Sequence, residues 1–217
     1  MSTSTSLYLD FQLDDETGAN AMTALSAAIA AAPIASVLLR PVGTGHWNAG
    51  TVRQLIGFAQ KKDIAVLVPA DIDGVADLGA DGFHLSWSAD IVRAFKNARA
   101  SWPNAIIGAD AGRSRHDAME LGEAGADYVA FGIPPHVEDR AKATERQLDL
   151  VEWWSEVFEV PCVAFDVPEC DIARALAAAG AGADFVSVHV SSSDTEQSAA
   201  ARVRAFLEAL HTQETTE

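Results

Sequence analysis

Short apolar runs and Ala-rich amphipathic runs alternate along all 217 residues of the chain. Eight runs read as strands: residues 7–9, 36–40, 64–68, 82–85, 105–109, 128–132, 161–165 and 185–190. Each is apolar on both faces and bounded by Gly, Pro, Asp or Asn, as strands buried inside a parallel sheet should be. Between them, helical periodicity predicts segments near 18–32, 49–62, 72–79, 89–100, 115–124, 146–157, 169–180 and 196–210.

Three corners echo one another: "DLGADGFHL" (77–85), "EAGADYVAFG" (123–132) and "AGAGADFVSVHV" (179–190). In each, a Gly suits the left-handed residue beyond a helix C-terminus. A small Ala and an Asp follow, then an apolar strand. Asp81, Asp127 and Asp184 are expected to fix these corners. Eight strand-then-helix units in a chain of this length predict an α/β fold, a (β/α)8 TIM barrel, over an open doubly wound sheet. One TIM-barrel domain is expected over residues 1–217.

That architecture turns the pattern into a site list, because function in such barrels sits at the C-terminal strand ends. The residues there are Asp10, Arg40, Pro69–Asp71, His84–Ser86, Asp110–Arg113, Gly132–His136, Asp166 and His189–Ser193.

Composition narrows the ligand. The formal net charge is −16, with only 15 Lys and Arg. Such a field disfavours nucleic acid, whose phosphates are bound by basic side chains. An anionic small molecule would need locally placed cations or a metal ion. Acidity as plain solubility is an equal reading. Cys162 and Cys170 lack metal-ligand spacing and read as buried thiols of a reducing compartment. The start "MSTSTSLYLD" shows no basic region and no apolar run of signal length, and no stretch has membrane-span length, so a cytoplasmic location is expected.

The stretches "GADGFHLSWSAD" (79–90) and "GADYVAFGIPP" (125–135), with "LYL" at the start and "GADFVSV" near the end, resemble the thiamine phosphate synthase family, which includes thiazole tautomerases. The resemblance covers about residues 7–191. It implies the same barrel and a role in thiamine biosynthesis. The implied transferase reaction couples an aminopyrimidine methyl diphosphate to a thiazole phosphate, with Mg2+ assisting the leaving diphosphate. The implied partner is a small phosphorylated heterocycle. A homo-oligomer is left open.

Carried over position by position, the resemblance implies a divergent site. Arg40 is retained at the end of strand two, while Leu38 and Val42 replace the family's Gln and Lys. The family's metal-holding Asp after strand three is matched only by Asp71, one residue displaced. The second metal carboxylate falls on Ala89, with Asp90 beside it. Arg140 stands where the family has Lys, keeping the charge but not the compact ammonium. After strand seven Asp166 replaces a Gly-Gly phosphate site. The closing Ser appears as Val190, beside Ser191–Ser193.

The candidates are therefore Arg113, His116 and Arg140 for catalysis. Arg40, His84, Asp110, Gly132, Ser191 and Ser192 are the candidates for substrate and phosphate binding, and Asp71 and Asp90 for metal. "GRSRHD" (112–117) is similar to the tautomerase wording, and its register leaves open whether Arg113 or His116 faces the mouth. Ser114 and Asp117 fit a plain helix start equally well. His84 reads equally as a satisfied histidine, and His189 reads rather as a core or pairing residue. "SSSDTEQ" (191–197) reads as a phosphate cradle or a helix cap. The alternatives to a synthase are a tautomerase-like enzyme and a non-catalytic thiazole or thiamine phosphate binder.

Overall fold

A computed structural model describes residues 4–13, 20–42, 48–71, 75–134, 136–165 and 171–215. The strands are β1 (Ser6–Leu13), β2 (Ser36–Pro41), β3 (Ala65–Pro69), β4 (Gly82–Leu85), β5 (Ile106–Asp110), β6 (Tyr128–Gly132), β7 (Cys162–Phe165) and β8 (Phe185–Ser191). They form a closed parallel barrel in chain order. The helices among the described residues are α1 (Ala21–Ala31), α2 (Ala49–Gln60), α3 (Ile91–Ser101), α4 (Arg115–Glu123), α5 (Arg140–Val157), α6 (Ile172–Gly180) and α7 (Glu196–Glu214). This is the (β/α)8 class that the apolar pattern predicts.

Several elements differ from expectation. The predicted helix at 72–79 is, in its described part, a single 3-10 turn, Val75–Leu78. Gly79 follows it with φ 81°, a conformation that ends the turn rather than extending it. β1 runs four residues past the predicted 7–9, so Asp10 lies within the strand, not beyond it. α5 starts at Arg140, six residues before the predicted start, because the Asp139 side chain caps it by accepting from the Lys142 amide at 3.0 Å.

The chain divides into two compact units. The terminal unit comprises the described residues of Ser6–Gly82 and Val188–Glu217. Here β1 pairs with β2 and β2 with β3, and α1 packs against α7. Leu9, Phe11, Leu25, Leu38, Leu55 and Val203 are fully buried in its core.

The central unit comprises the described residues of Met1–Thr5 and Phe83–Ser187. β5, β6 and β7 pair in sequence. Trp154 of α5 is fully buried, stacks on Phe158 at 4.0 Å between ring centroids, and donates its indole N–H to the Val160 carbonyl at 2.7 Å. Trp102 stacks on Phe83. Cys162 is a buried free thiol, and burial pushes its pKa up to about 12, so it is packing rather than chemistry. Cys170 lies outside the described residues.

The repeated Gly-Ala-Asp corner has one structural meaning. Gly79, Gly125 and Gly182 all have positive φ. The Asp two residues on reaches back to the preceding strand. Asp81 accepts from the Val66 amide at 2.8 Å, Asp127 from the Ile107 amide at 2.7 Å, and Asp184 from the Cys162 amide at 2.8 Å. A carboxylate thus satisfies an amide at the N-terminal end of β3, β5 and β7, the end of the barrel associated with stability.

Candidate functional site

Among its described residues the terminal unit carries a polar cluster, at the C-terminal parts of β1, β2 and β8. Asp10 has no exposed surface. Arg40 grips its carboxylate with two nitrogens, Nε to Oδ1 and Nη2 to Oδ2, the second at 2.8 Å. His189 Nδ1 lies 2.7 Å from Asp10 Oδ2. An ionised carboxylate only accepts, so Nδ1 carries the proton and Nε2 is the ring nitrogen left for other work. Burial raises the Asp10 pKa, but hydrogen bonds and charge from Arg40 and His189 outweigh it, and the carboxyl stays below its ordinary range. The same pairing raises Arg40.

The loop after β8 is tied down. Arg202 donates to the His189 carbonyl at 2.9 Å and forks onto Asp194 at 2.8 and 3.1 Å. The amides of Ser191, Ser192, Ser193 and Asp194 go to Asp194 Oδ2, the Gln12 carbonyl, Ser191 Oγ and the Ser191 carbonyl respectively. A phosphate arriving here would meet hydroxyl groups, not free amides. Thr195 caps α7 by accepting from the Ser198 amide, which is the helix-cap reading of this stretch.

The central unit carries a second cluster, at the ends of β4, β5 and β6. Asp110 is the last residue of β5 and is 7% exposed. Its Oδ1 accepts from the amides of Gly112 and Gly132, both at 2.8 Å. Burial raises its pKa to about 6, against the lowering effect of those two amides. A Cβ on Gly132 would stand 2.3 Å from Asp110 Oδ2, so the strand end has room for the carboxylate only because residue 132 is Gly. The Gly132 amide is therefore already used. Gln147 fixes the same turn through the Phe131 carbonyl at 2.5 Å.

His84 is 1% exposed, and its Nδ1 pairs with the Tyr128 hydroxyl at 2.8 Å. Its ring lies 5.0 Å from Phe165. Trp87, in the loop after β4, is 37% exposed and lies against Gly112 and His136.

Arg113 and His116 are both exposed, with no hydrogen-bond or ion-pair partner among the described residues. Between them Ser114 caps α4, its Oγ accepting from the Asp117 amide at 3.1 Å. Arg115 lies over the Trp153 ring at 4.6 Å, which explains one of the two arginines as packing. Arg140 sits in the first turn of α5 with Nη1 3.4 Å from each of the Ile133 and Pro134 carbonyls. Asp71 is exposed just past β3. Asp90, at the start of α3, is paired with Arg93. Asp166 lies outside the described residues.

Among the described residues there is no group of three or more His, Cys, Asp or Glu able to hold a metal ion. Asp90 is paired with Arg93 and Asp71 is exposed just past β3; among the described residues neither belongs to a protein-built Mg2+ cage. Mg2+ is otherwise held by one or two carboxylates together with substrate phosphates.

The sequence and the barrel both match known proteins. The family model described as thiamine monophosphate synthase matches residues 10–193. The chain belongs to this family. The thiamine-phosphate synthase of Hyphomonas neptunium is 37% identical over 188 residues, covering 84% of this chain and 83% of that protein. The thiamine-phosphate synthase of Rhodospirillum centenum is 34% identical over 165 residues, covering 76% and 78%. A solved thiamine phosphate pyrophosphorylase from Pyrococcus furiosus shares the fold, with TM-score 0.69 at 18% identity over 97% of this chain and 98% of that one. The family places the chain in thiamine biosynthesis, and these names do not favour the tautomerase-like or ligand-binder alternatives.

In this thiamine monophosphate synthase relative the pairing reading of His189 holds, while Asp10 as the shared partner of His189 and Arg40 was not foreseen from the sequence. A signal was present. Asp10 is a carboxylate inside the apolar strand "LYLDFQL", and His189 interrupts the apolar "VSVHV". A charge buried in a strand needs a partner, and in this fold the lone strand-end Arg and His supply it.

Proposed function

We propose that this chain is a thiamine-phosphate synthase, joining an aminopyrimidine methyl diphosphate to a thiazole phosphate. The observation that supports it is the buried Asp10, which holds Arg40 and His189 in fixed orientation at strand C-terminal ends. A guanidinium held on two bonds loses little freedom when an anion arrives, and preorganised cations are most valuable where negative charge builds up. In the reaction, the C–O bond between the pyrimidine methylene and diphosphate breaks, and its electron pair leaves with diphosphate. The thiazole nitrogen lone pair forms the new C–N bond to that methylene. Arg40 and His189 are assigned to the leaving diphosphate. Arg113 and Arg140 are assigned to a second anion in the central unit, and His116 to proton handling there.

Asp110 is assigned a supporting role, holding the Gly112 and Gly132 amides in place. The hydroxyls of Ser191 and Ser192 are assigned to phosphate. Mg2+, when bound, would neutralise part of the diphosphate charge. The described carboxylates make no cage for it. We take the chain to work as one barrel domain over residues 1–217. Among the described residues no helix is long and apolar enough to cross a membrane, and a cytoplasmic location fits the reading.

The test is product formation. Purified protein with both substrates and Mg2+ should yield a species with the mass of thiamine phosphate. Only unreacted substrates after long incubation would rule the reading out.

A further inference from the structure

We propose that Trp87 and His136 form an aromatic seat for a planar nitrogen heterocycle of the substrate, with Trp87 setting affinity for the ring rather than for its phosphates. This rests on the synthase reading above, which supplies two such rings.

Three strand-end loops of the central unit build the seat. Trp87 follows β4, Gly112 follows β5 and His136 follows β6. The indole lies flush against Gly112. A Cβ there would be 2.4 Å from Trp87 Cδ1 and 2.8 Å from Nε1, and Gly112 has φ 58°, where side chains are strained in any case. The close approach therefore depends on a glycine at 112. That glycine is itself held, because its amide donates to the buried Asp110 carboxyl. The His136 ring stands 5.0 Å from the indole, tilted by 42°.

The result is a large aromatic pinned by backbone yet 37% exposed. Single exposed apolar side chains are ordinary on protein surfaces. This one differs in its place, at the functional end of the strands, and in its polar edge. The indole N–H has no hydrogen-bond partner among the described residues. A flat ring stacked on Trp87 would meet a π face, and the free N–H offers a donor for a ring nitrogen. The indole face also attracts positive charge, which develops on the pyrimidine methylene as diphosphate leaves.

Calorimetry on the full chain tests this, titrating the aminopyrimidine methyl diphosphate, the thiazole phosphate and ring-free inorganic diphosphate into wild type, Trp87→Ala and Trp87→Phe. Stacking on an aromatic side chain predicts that Trp87→Ala weakens one heterocyclic ligand about tenfold. Trp87→Phe should recover most of that loss, and inorganic diphosphate should bind as to wild type. The ligand that weakens identifies the ring. Unchanged affinity for both heterocycles, or equal weakening of inorganic diphosphate, would overturn the seat while leaving the synthase reading intact. Failure of wild type to bind either heterocycle would overturn both.

Discussion

His189 Nδ1 and Asp10 Oδ2 stand 2.7 Å apart, joining β8 to a carboxylate with no solvent exposure. With Arg40 on the same carboxylate, Asp10 holds two potential cations at once. Replacing it by Asn keeps the shape but removes the charge both partners face. Removing one member of a buried pair costs about 3–5 kcal/mol. Asp10→Asn should therefore lower unfolding free energy by that order in urea, with acid moderating the difference. The Asp10 carboxyl is held low, so its stabilisation is present above its ordinary pKa and disappears as pH falls through the lower folded value.

Arg40→Lys keeps the charge and loses the two-pronged grip. Affinity for the diphosphate substrate should fall about tenfold, the scale of one charge-assisted hydrogen bond. The check is the substrate KM, with Tm followed in parallel. A variant indistinguishable from wild type in KM would remove Arg40 from the anion site.

Asp110 works in the opposite sense. Its pKa is raised from 3.8 to about 6, worth about 3 kcal/mol in favour of the protonated form. Its contribution is complete below pH 4 and is lost as pH rises through about 6. Asn at this position still accepts from the two glycine amides and never ionises. Asp110→Asn should gain stability relative to wild type between pH 4 and pH 7, read as a growing Tm difference. A difference that stays flat with pH would show that the carboxyl titrates normally.

The corner aspartates separate scaffold from chemistry. Asp127→Ala strands the Ile107 amide, buried at the start of β5, and removes the ion pair with Arg99. The expected cost is about 1–3 kcal/mol, with KM and kcat unchanged at a temperature where the variant is folded. Loss of activity without loss of stability would give that carboxylate a functional role.

Ser114→Ala should cost about 1 kcal/mol through the lost cap of α4, leaving turnover unaltered. Arg113→Ala and His116→Ala should do the reverse, since both side chains are exposed and contribute no described contact. Denaturation and kcat/KM measured on all three decide it.

Much of the barrel was legible because buried parallel strands leave an unambiguous mark. "GFHL" and "YVAFG" are β4 and β6 to the residue, each set by a preceding Gly-Ala-Asp corner. β1 was less legible, because Asp10 and Gln12 look like a strand end when its partners are not in view. The partners lie 30 and 179 positions away in sequence. Position near strand ends was readable for Arg40, Asp110 and Gly132. What each touches was not. A sequence shows that Gly132 is small, but not that the space is filled by Asp110. Likewise "SSSDTEQ" carries hydroxyls and amides suited to phosphate, and only the fold shows the amides of Ser191 to Asp194 already bonded, within the loop or, for Ser192, to Gln12 of β1. The surroundings of Trp87 are not legible in the sequence, since its neighbours Gly112 and His136 come from the two following loops.

The most direct measurement is diphosphate release by the purified chain with both substrates and Mg2+, in wild type and in Arg40→Ala. The account predicts release in step with thiamine phosphate formation, reduced about a hundredfold or more by Arg40→Ala as a charge-assisted clamp is lost at the leaving group. Release no greater than a protein-free blank in wild type, or equal release in the two proteins, would contradict it.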